Sequence, residues 1–447
     1  MDFEAFSKIV AEEAAARAID TYEMYYQRQE VTQVSAFAHE INKFSDASEG
    51  GVCLRCLVRG HMGSASTESL TEESARALVC RAADNAAVLE KDEPEFLAEA
   101  GQTYQALPEK DNTLPAAQAM RELALDSQDA LYAEEGVVDG CASNAFAMRT
   151  QTAIVNSRGL SLSSESAASG VMMQAIVAGE DEKTSAYRLR TGAPEAIDLA
   201  ALAAKTAGEA RAKLGAGIPD SGAVPIVFSP RAMASLLEAY AGVFSAENAQ
   251  KDLSLLKGKE GTEIASSAVT LIDDPFYKDS AMPMPFDAEG TPTAEKKVIE
   301  NGTLNTLLYN LSTAAAAGKT TTGNAAKRDY ADKISVRPFT LRFAPGPDSE
   351  DALLKKANSG IYIDFLGGLH AGANPISGDF SLQSGGFLIE NGQKTAPVRS
   401  FTVAGNFFTL LKNIDAVADN PEPPTSLGVT AFVCPSVLVN GLSVAGK

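Results

Sequence analysis

The chain is read as an α+β protein: an N-terminal α+β domain, with signs of an internal duplication, followed by a β-rich C-terminal domain built on hairpins. Three observations carry this. Extended runs with alternating apolar positions recur through the first half, separated by stretches of helical spacing. Asn301-Gly302 and Asn391-Gly392 each sit between extended, partly apolar runs, and an Asn-Gly pair tolerates the positive φ angles that a tight type I′ turn requires. Glycine and proline punctuate the second half throughout, where helical spacing is scarce.

Residues 1–20 place Asp2, Glu4, Glu12 and Glu13 among apolar positions, the pattern of an acidic amphipathic helix. Tyr22–Gln29 and Val31–Ala38 read as two strands and Gly51–Val58 as a third. Ser69–Leu89 reads as a helix with Leu70, Ala75, Leu78 and Val79 on its apolar side. Lys91–Pro115 is rich in acidic residues and proline and reads as an irregular connection, with a short helix after Pro115. A similar order then returns: a strand at Ala145–Val155, a turn at Ser157–Gly159, a strand at Val171–Ala178 and a helix near Leu199–Leu214. The runs from Gly60 to Ala65 and from Gly179 to Ala186 each follow an apolar strand, which suggests the duplication.

Gly215–Pro225 holds three Gly and two Pro and marks the boundary, giving domains 1–220 and 221–447. Ser229-Pro230 then opens a helix that runs to about Phe244, because Ser caps orphan N–H groups and Pro is tolerated at the first helical position. Beyond it the chain is β-rich, with a Pro-rich spacer at Pro421–Pro424 and a last apolar strand near Ser436–Leu442.

Between the two hairpins lies a glycine-rich loop, Gly367 to Ser381, that carries His370, Asn374, Asp379 and Ser381. Polar side chains on such a loop suggest a site more than a linker. Several ordered motifs there and upstream resemble the TldD/PmbA family, once called modulators of DNA gyrase. They are Asp274-Pro275, Phe286-Asp-Ala-Glu-Gly-Thr-Pro-Thr293, Thr322-Gly-Asn-Ala325, Asn374-Pro-Ile-Ser-Gly-Asp-Phe-Ser381 and Ile389-Glu-Asn-Gly392. The match is strongest from about Ser229 onward, with a weaker echo near Gly60 to Ser66.

Zinc peptidase chemistry needs imidazoles converging on the metal and a carboxylate base beside them. This chain has three histidines, His39, His61 and His370, none within five residues of another. In the TldD branch of the family the helix beginning at Pro230 carries His-Glu-x-x-x-His; the matching stretch here is Glu238-Ala-Tyr-Ala-Gly-Val243. Glu238 and Val243 stand where the histidines would be, and Ala239 where the base would be. The resemblance therefore implies the PmbA/TldE branch: no catalytic residue and no metal in this chain, with zinc in a TldD-like partner. Glu238 itself reads as a solvated or salt-bridged helix carboxylate.

Candidate substrate contacts are His370, Asn374, Asp379, Ser381 and, from the upstream motif, Asn324. For His370 the plainer alternative is an imidazole that holds the loop by bonding a backbone carbonyl. A Ser–His–Asp hydrolase is disfavoured because no Gly-x-Ser-x-Gly elbow occurs. Thr313 to Thr320 would be a phosphate-binding loop if residue 313 were Gly, but its four alanines favour helix. Cys53 and Cys56 have CxxC spacing inside an expected strand, where positions three apart face opposite sides, and read as packing residues. Lys319, Lys327, Arg328 and Lys333 form a modest basic cluster: a solvated surface, or a seat for a peptide carboxylate or an acidic partner.

Composition narrows the function classes. The chain of 447 residues carries 38 Lys plus Arg against 58 Asp plus Glu, a net charge of −20 that would repel a phosphate backbone, so direct nucleic-acid binding is not expected. No continuous apolar run suggests a signal peptide or a membrane span, and five scattered cysteines argue against a disulfide framework. A cytoplasmic protein is expected. The reading implied by the resemblance is a TldE-like subunit of a metallopeptidase complex that cleaves small or unfolded peptides, as a homo- or heterodimer. The alternatives are a free-standing peptide-binding or adaptor homodimer and a metal-independent hydrolase that uses His370 with Asp379 or Ser381.

Overall fold

The computed structural model describes residues 1–89, 96–107, 111–424 and 428–447. The chain opens with α1 (Phe3–Ala16), β1 (Tyr22–Phe37), β2 (Glu40–Val58), β3 (His61–Thr67) and α2 (Glu72–Ala87). The same order returns as α3 (Ala117–Tyr132), β4 (Ala142–Asn156), β5 (Ser161–Ala178), β6 (Lys183–Thr191) and α4 (Leu199–Arg211). All six strands form one antiparallel sheet in the order β3-β2-β1-β4-β5-β6, so the two units meet where β1 pairs with β4. The two glycine motifs begin in the turns before β3 and β6, the edge strands, and run into those strands.

The strands outrun their apolar patterns. Tyr22–Gln29 and Val31–Ala38 are one strand, because Glu30 sits opposite Arg149 of β4 and forms an ion pair with it. β2 begins at Glu40, well before Gly51, since its polar first half pairs in register with β1, Ser45 against Gln33 and Glu49 against Gln29. The helix after Pro115 is not short: α3 has 16 residues and buries Met120, Leu123, Ala124 and Leu131. The connection expected over Lys91–Pro115 lies partly outside the described residues.

One face of this sheet is covered by helices. Met24 packs in a cluster with residues of α1 and α2, and Val34 and Ala36 with residues of α3. Positions of opposite parity along β1, Glu23, Tyr25, Gln27, Gln29, Val31 and Gln33, point to the other face. There Tyr25 packs with Phe286, Ala288 and Ala325 of the C-terminal half. Among the described residues no helix is long and apolar enough to cross a membrane.

The second half continues with β7 (Gly222–Phe228), α5 (Pro230–Tyr240), α6 (Ala246–Gln250), β8 (Leu271–Asp273), β9 (Lys296–Glu300) and β10 (Thr303–Leu304). Next come α7 (Leu311–Ala317), β11 (Ala325–Ala326), β12 (Ser335–Val336), β13 (Thr340–Phe343), α8 (Glu350–Ala357) and β14 (Gly360–Gly367). The remainder is α9 (Leu369–Gly372), β15 (Asp379–Glu390), β16 (Gln393–Asn406), α10 (Phe407–Lys412), β17 (Ile414–Val417), β18 (Ala431–Val433) and β19 (Val437–Ala445). Ser229 caps α5 by accepting from the Ala232 N–H, with Pro230 at the first helical position. Both expected hairpins form: Asn301 and Gly302 have φ of 46° and 87°, Asn391 and Gly392 of 52° and 72°. The alanine-rich stretch is helical, capped by Asn310 and ended by Gly318 in the left-handed region.

Strands β16-β15-β14-β7-β19-β17 form a second six-stranded sheet, and β16 also pairs with β19, which closes five of the strands into a ring. The core cluster inside this half includes Phe228, Leu236, Phe244, Ile363, Val403 and Val439, with Tyr240 stacked on Phe407 at 4.4 Å between centroids. A five-stranded sheet, β10-β9-β8-β13-β18, lies over the same core, and β11 and β12 form a two-stranded ribbon. An ion-pair network joins the halves: Arg188 of β6 bonds Glu209 and Glu422, and Arg231 of α5 bonds Glu209 at 2.8 Å.

Residues 273–339 have little regular structure, so buried side chains take up their backbone hydrogen bonds. Asp273, fully buried, accepts from the Phe339 N–H at 2.7 Å, the Asn324 amide at 2.7 Å and the Lys296 ammonium at 3.1 Å. Asp287 accepts from the N–H groups of Glu289, Thr291 and Ala325, each at 2.9 Å. Glu289 accepts from the Leu311 N–H at 2.8 Å. Burial raises the pKa of both Asp287 and Glu289. Three N–H donors restrain Asp287, while Glu289, with one donor and the Asp287 charge beside it, is pushed up to about 8.

Two expectations follow from this packing. A Cβ on Gly386 would meet the Tyr362 carbonyl oxygen at 1.8 Å across the β14–β15 ladder. Gly386→Ala should therefore destabilise the fold by about 1–3 kcal/mol, read as a lowered urea midpoint at unchanged slope. Glu289 has a folded-state pKa above its unfolded value, so its contribution is full below its ordinary 4.5 and lost as pH climbs through about 8. Between those limits wild type should lose on the order of 2–4 kcal/mol of unfolding free energy relative to Glu289→Gln. A difference that does not change with pH would show that Glu289 titrates normally.

Candidate functional site

The uncovered part of the first sheet, α5 with α6, and the β11–β12 ribbon enclose a cavity of about 880 Å³. Its floor is the row of alternate β1 residues Gln27, Gln29, Val31 and Gln33, extended by Phe146 and Met148 of β4. Glu238 of α5 and Glu247 of α6 form one side, and Lys327, Arg328 and Arg337 at the ends of the ribbon form another. A cavity of this size with few placed polar groups suits a small ligand or a short chain segment.

The charges here differ in availability. Glu247 is paired with Lys251 at 2.6 Å and Arg328 with Asp332 at 3.1 Å. Glu238 and Arg337 form no ion pair among the described residues and are exposed. Lys327 is buried with its ammonium 5.0 Å from the Tyr25 ring centroid, and burial lowers its pKa. The backbone of Arg337 is pinned on both sides by Asn324, whose carbonyl takes the Arg337 N–H at 3.1 Å and whose amide donates to the Arg337 carbonyl at 2.9 Å.

A second cavity of about 400 Å³ lies between β6 and the β14–β16 strands. Three of the cations around it are already paired: Lys213 with Asp364 at 3.4 Å, Arg231 with Glu209, and Arg399 with Glu182 at 2.7 Å. The larger cavity, where opposite charges stand free, is the stronger candidate.

The glycine-rich loop lies elsewhere. His370 is exposed on α9 and makes no hydrogen bond or ion pair among the described residues, so it does not hold the loop through a carbonyl. That task falls to Asn374, whose side-chain amide oxygen accepts from the N–H groups of Ile376 at 3.0 Å and Ser377 at 3.3 Å. The Asn406 amide donates to the Asp379 carboxylate at 2.9 Å and, with Ser377, holds its pKa below the ordinary carboxylate range. Ser381 is exposed on β15. The Tyr240 hydroxyl donates to the Asp379 carbonyl at 2.7 Å and docks the loop against α5. None of these four residues lines the 880 Å³ cavity, and no Ser–His–Asp relay is assembled among the described residues.

Asn324 is fully buried and cannot touch a ligand; it acts through the Arg337 backbone and Asp273. The basic cluster also disperses. Lys319 pairs with Glu260, Arg328 with Asp332, and Lys327 turns inward. Cys53 and Cys56 are both buried on β2, as packing residues would be.

The three positions of the zinc motif separate in space. Glu238 faces the cavity, Ala239 is half-buried and Val243 is fully buried in the core. One carboxylate and an inward-facing valine do not supply a zinc donor set, and among the described residues no three His, Cys, Asp or Glu side chains converge to hold a metal ion. Gln27, Gln29, Gln33 and Arg337 had not been expected at a site. The i, i+2 spacing of the glutamines on one strand face was their only signal in the sequence.

Comparison with known proteins agrees with the motif resemblance. The model described as "PmbA/TldA metallopeptidase C-terminal domain" matches residues 221–446, and "PmbA/TldA metallopeptidase domain 1" matches 22–86. A metalloprotease of Methanothermobacter thermautotrophicus is 30% identical over 69% of this chain and 68% of its own length. An uncharacterized protein of Methanocaldococcus jannaschii is 36% identical, but the match spans less than half of either chain, 42% of this one and 44% of the other. Among solved structures, a Thermotoga maritima protein named as a modulator of a DNA gyrase superposes with a TM-score of 0.89 at 29% identity, covering 99% of this chain and 100% of that one. TldE of Thermococcus kodakarensis shares the fold, with a TM-score of 0.88 at 22% identity over 99% and 100% of the two chains. This chain belongs to the PmbA/TldD metallopeptidase family.

Proposed function

We propose that this chain is the TldE-like, zinc-free subunit of a cytoplasmic TldD/TldE-type metallopeptidase complex that cleaves small or unfolded peptides. The observation that carries the reading is the α5 wall of the cavity. By the motif resemblance Glu238 stands where one zinc-binding imidazole would be, Ala239 where the base would be and Val243 where the second imidazole would be; in the structure Glu238 lines the cavity and Val243 is buried in the core. The metal-activated water would then come from a zinc-bearing homologue. This chain contributes the polar sheet face and the charged rim against which an extended peptide can lie.

The metalloprotease relatives support a peptidase-related role, and a TldE shares the fold. The hydrolase alternative has no support in the geometry, because His370, Asp379 and Ser381 do not engage one another.

The test is to purify the chain alone and mixed with its zinc-bearing homologue, measure metal by elemental analysis, and assay both samples on an unstructured peptide. Metal and chelator-sensitive cleavage are expected in the mixed sample only. Stoichiometric zinc with cleavage by the lone chain would overturn the proposal, whereas tight peptide binding without any effect of the homologue would favour the free-standing adaptor.

A further inference from the structure

Charge around the 880 Å³ cavity is sorted by structural element. Among the described residues, the acid without an ion pair, Glu238, stands on α5, while the guanidinium without one, Arg337, follows β12 of the ribbon, with the buried Lys327 at the ribbon's other end. Glu247 and Arg328 also reach the cavity, but Lys251 and Asp332 neutralise them. The floor carries no formal charge: Gln27, Gln29 and Gln33 offer amide donors and acceptors, and Val31 an apolar step.

This arrangement is demanding of a ligand. In a chain of net charge −20 an anion is repelled over most of the surface, so it is retained only where local cations reverse the field. Arg337 provides such a place, and its planar fork matches a carboxylate with two parallel hydrogen bonds. Asn324 holds the Arg337 backbone from both sides, so the guanidinium projects from a fixed base. Glu238 is the complementary element, an acceptor-only group suited to an ammonium. From Gln27 to Gln33 the strand runs about 20 Å at roughly 3.3 Å per residue, the length of an extended peptide of about six residues.

We propose that the cavity holds a short peptide whose two ends are both free, with its terminal carboxylate on Arg337, its terminal ammonium on Glu238 and its backbone amides on the β1 glutamines. The inference rests on the peptide-handling role proposed above and narrows it to one substrate class: zwitterionic oligopeptides, the products of earlier endoproteolysis, in place of internal segments of longer chains.

The experiment measures binding of an unstructured hexapeptide without charged side chains by titration calorimetry. The full-length chain is used alone and mixed with its zinc-bearing homologue, and the peptide is prepared free, N-acetylated, C-amidated and capped at both ends. Each cap should weaken binding about tenfold or more, as expected for loss of a charge-assisted hydrogen bond. Arg337→Gln should weaken the free peptide to the level of the C-amide and leave the C-amide unchanged, and Glu238→Gln should do the same for the N-acetyl form. Both side chains are exposed, so an unchanged urea midpoint should verify that the variants fold.

Equal binding of all four peptide forms would overturn the recognition of ends and leave the peptide-handling role standing. Cap effects that persist in both variants would overturn the assignment to Glu238 and Arg337. Absence of binding by every form, in the lone chain and in the mixture, would remove both this inference and the role it rests on.

Discussion

Buried carboxylates that accept backbone N–H groups govern the centre of this molecule. From residue 273 to 339 the chain has only short strands and one two-turn helix, so few of its amides can be satisfied by ladders. Asp273, Asp287 and Glu289 take over that task; Asp273 through Asn324, and Asp287 through the Ala325 N–H, fix the ribbon that carries Lys327 and Arg337. Asp273 and Asp287 are tolerated in the interior because each accepts three hydrogen bonds, whereas burial and the Asp287 charge push Glu289, with fewer, toward its neutral form. The cavity rim inherits its geometry from these interior bonds.

The cavity is what remains where two halves cover one sheet unequally. Tyr25 and its neighbours at one end of β1 are packed under Phe286 and Ala325, while the glutamine row at the other end is not. The ion pairs of Arg188 and Arg231 with Glu209 and Glu422 hold the halves at another edge, partly shielded from solvent and so less screened than surface pairs. Packing at one end and charge at the other keep the intervening space open.

Much of the fold was legible in the sequence, through devices that act locally. The Asn-Gly turns, the Ser229-Pro230 helix start and the helical alanine run depend on residues within a few positions of one another, and each appears where expected. Strand length was not legible, because the first half of β2 is stabilised by polar pairing with β1, which leaves no apolar period to read. For the cavity, the sequence motifs name Glu238 but few of the other side chains that line it. Asn324 belongs to a motif yet works from the interior, while Arg337 lies outside every motif and reaches the cavity only because the ribbon folds back on itself. His370 drew notice as a lone imidazole on a glycine-rich loop, and that loop packs against Tyr240 at the C-terminal end of α5 without entering the cavity. Linear spacing contains no record of such long-range placement.

The ring of strands carries a consequence for synthesis. β7 is made early in the second half, yet its partner β19 lies more than two hundred residues downstream, and β19 also closes against β16. Until residue 445 has emerged from the ribosome, β7 presents an unpaired edge and the apolar faces around Phe228 and Val403 stay exposed to solvent. The first sheet, complete by residue 191, has no such dependence and can fold while translation continues. A nascent chain of this protein therefore passes through a long interval with one half finished and the other adhesive, the interval in which a chaperone that shields strand edges would matter most.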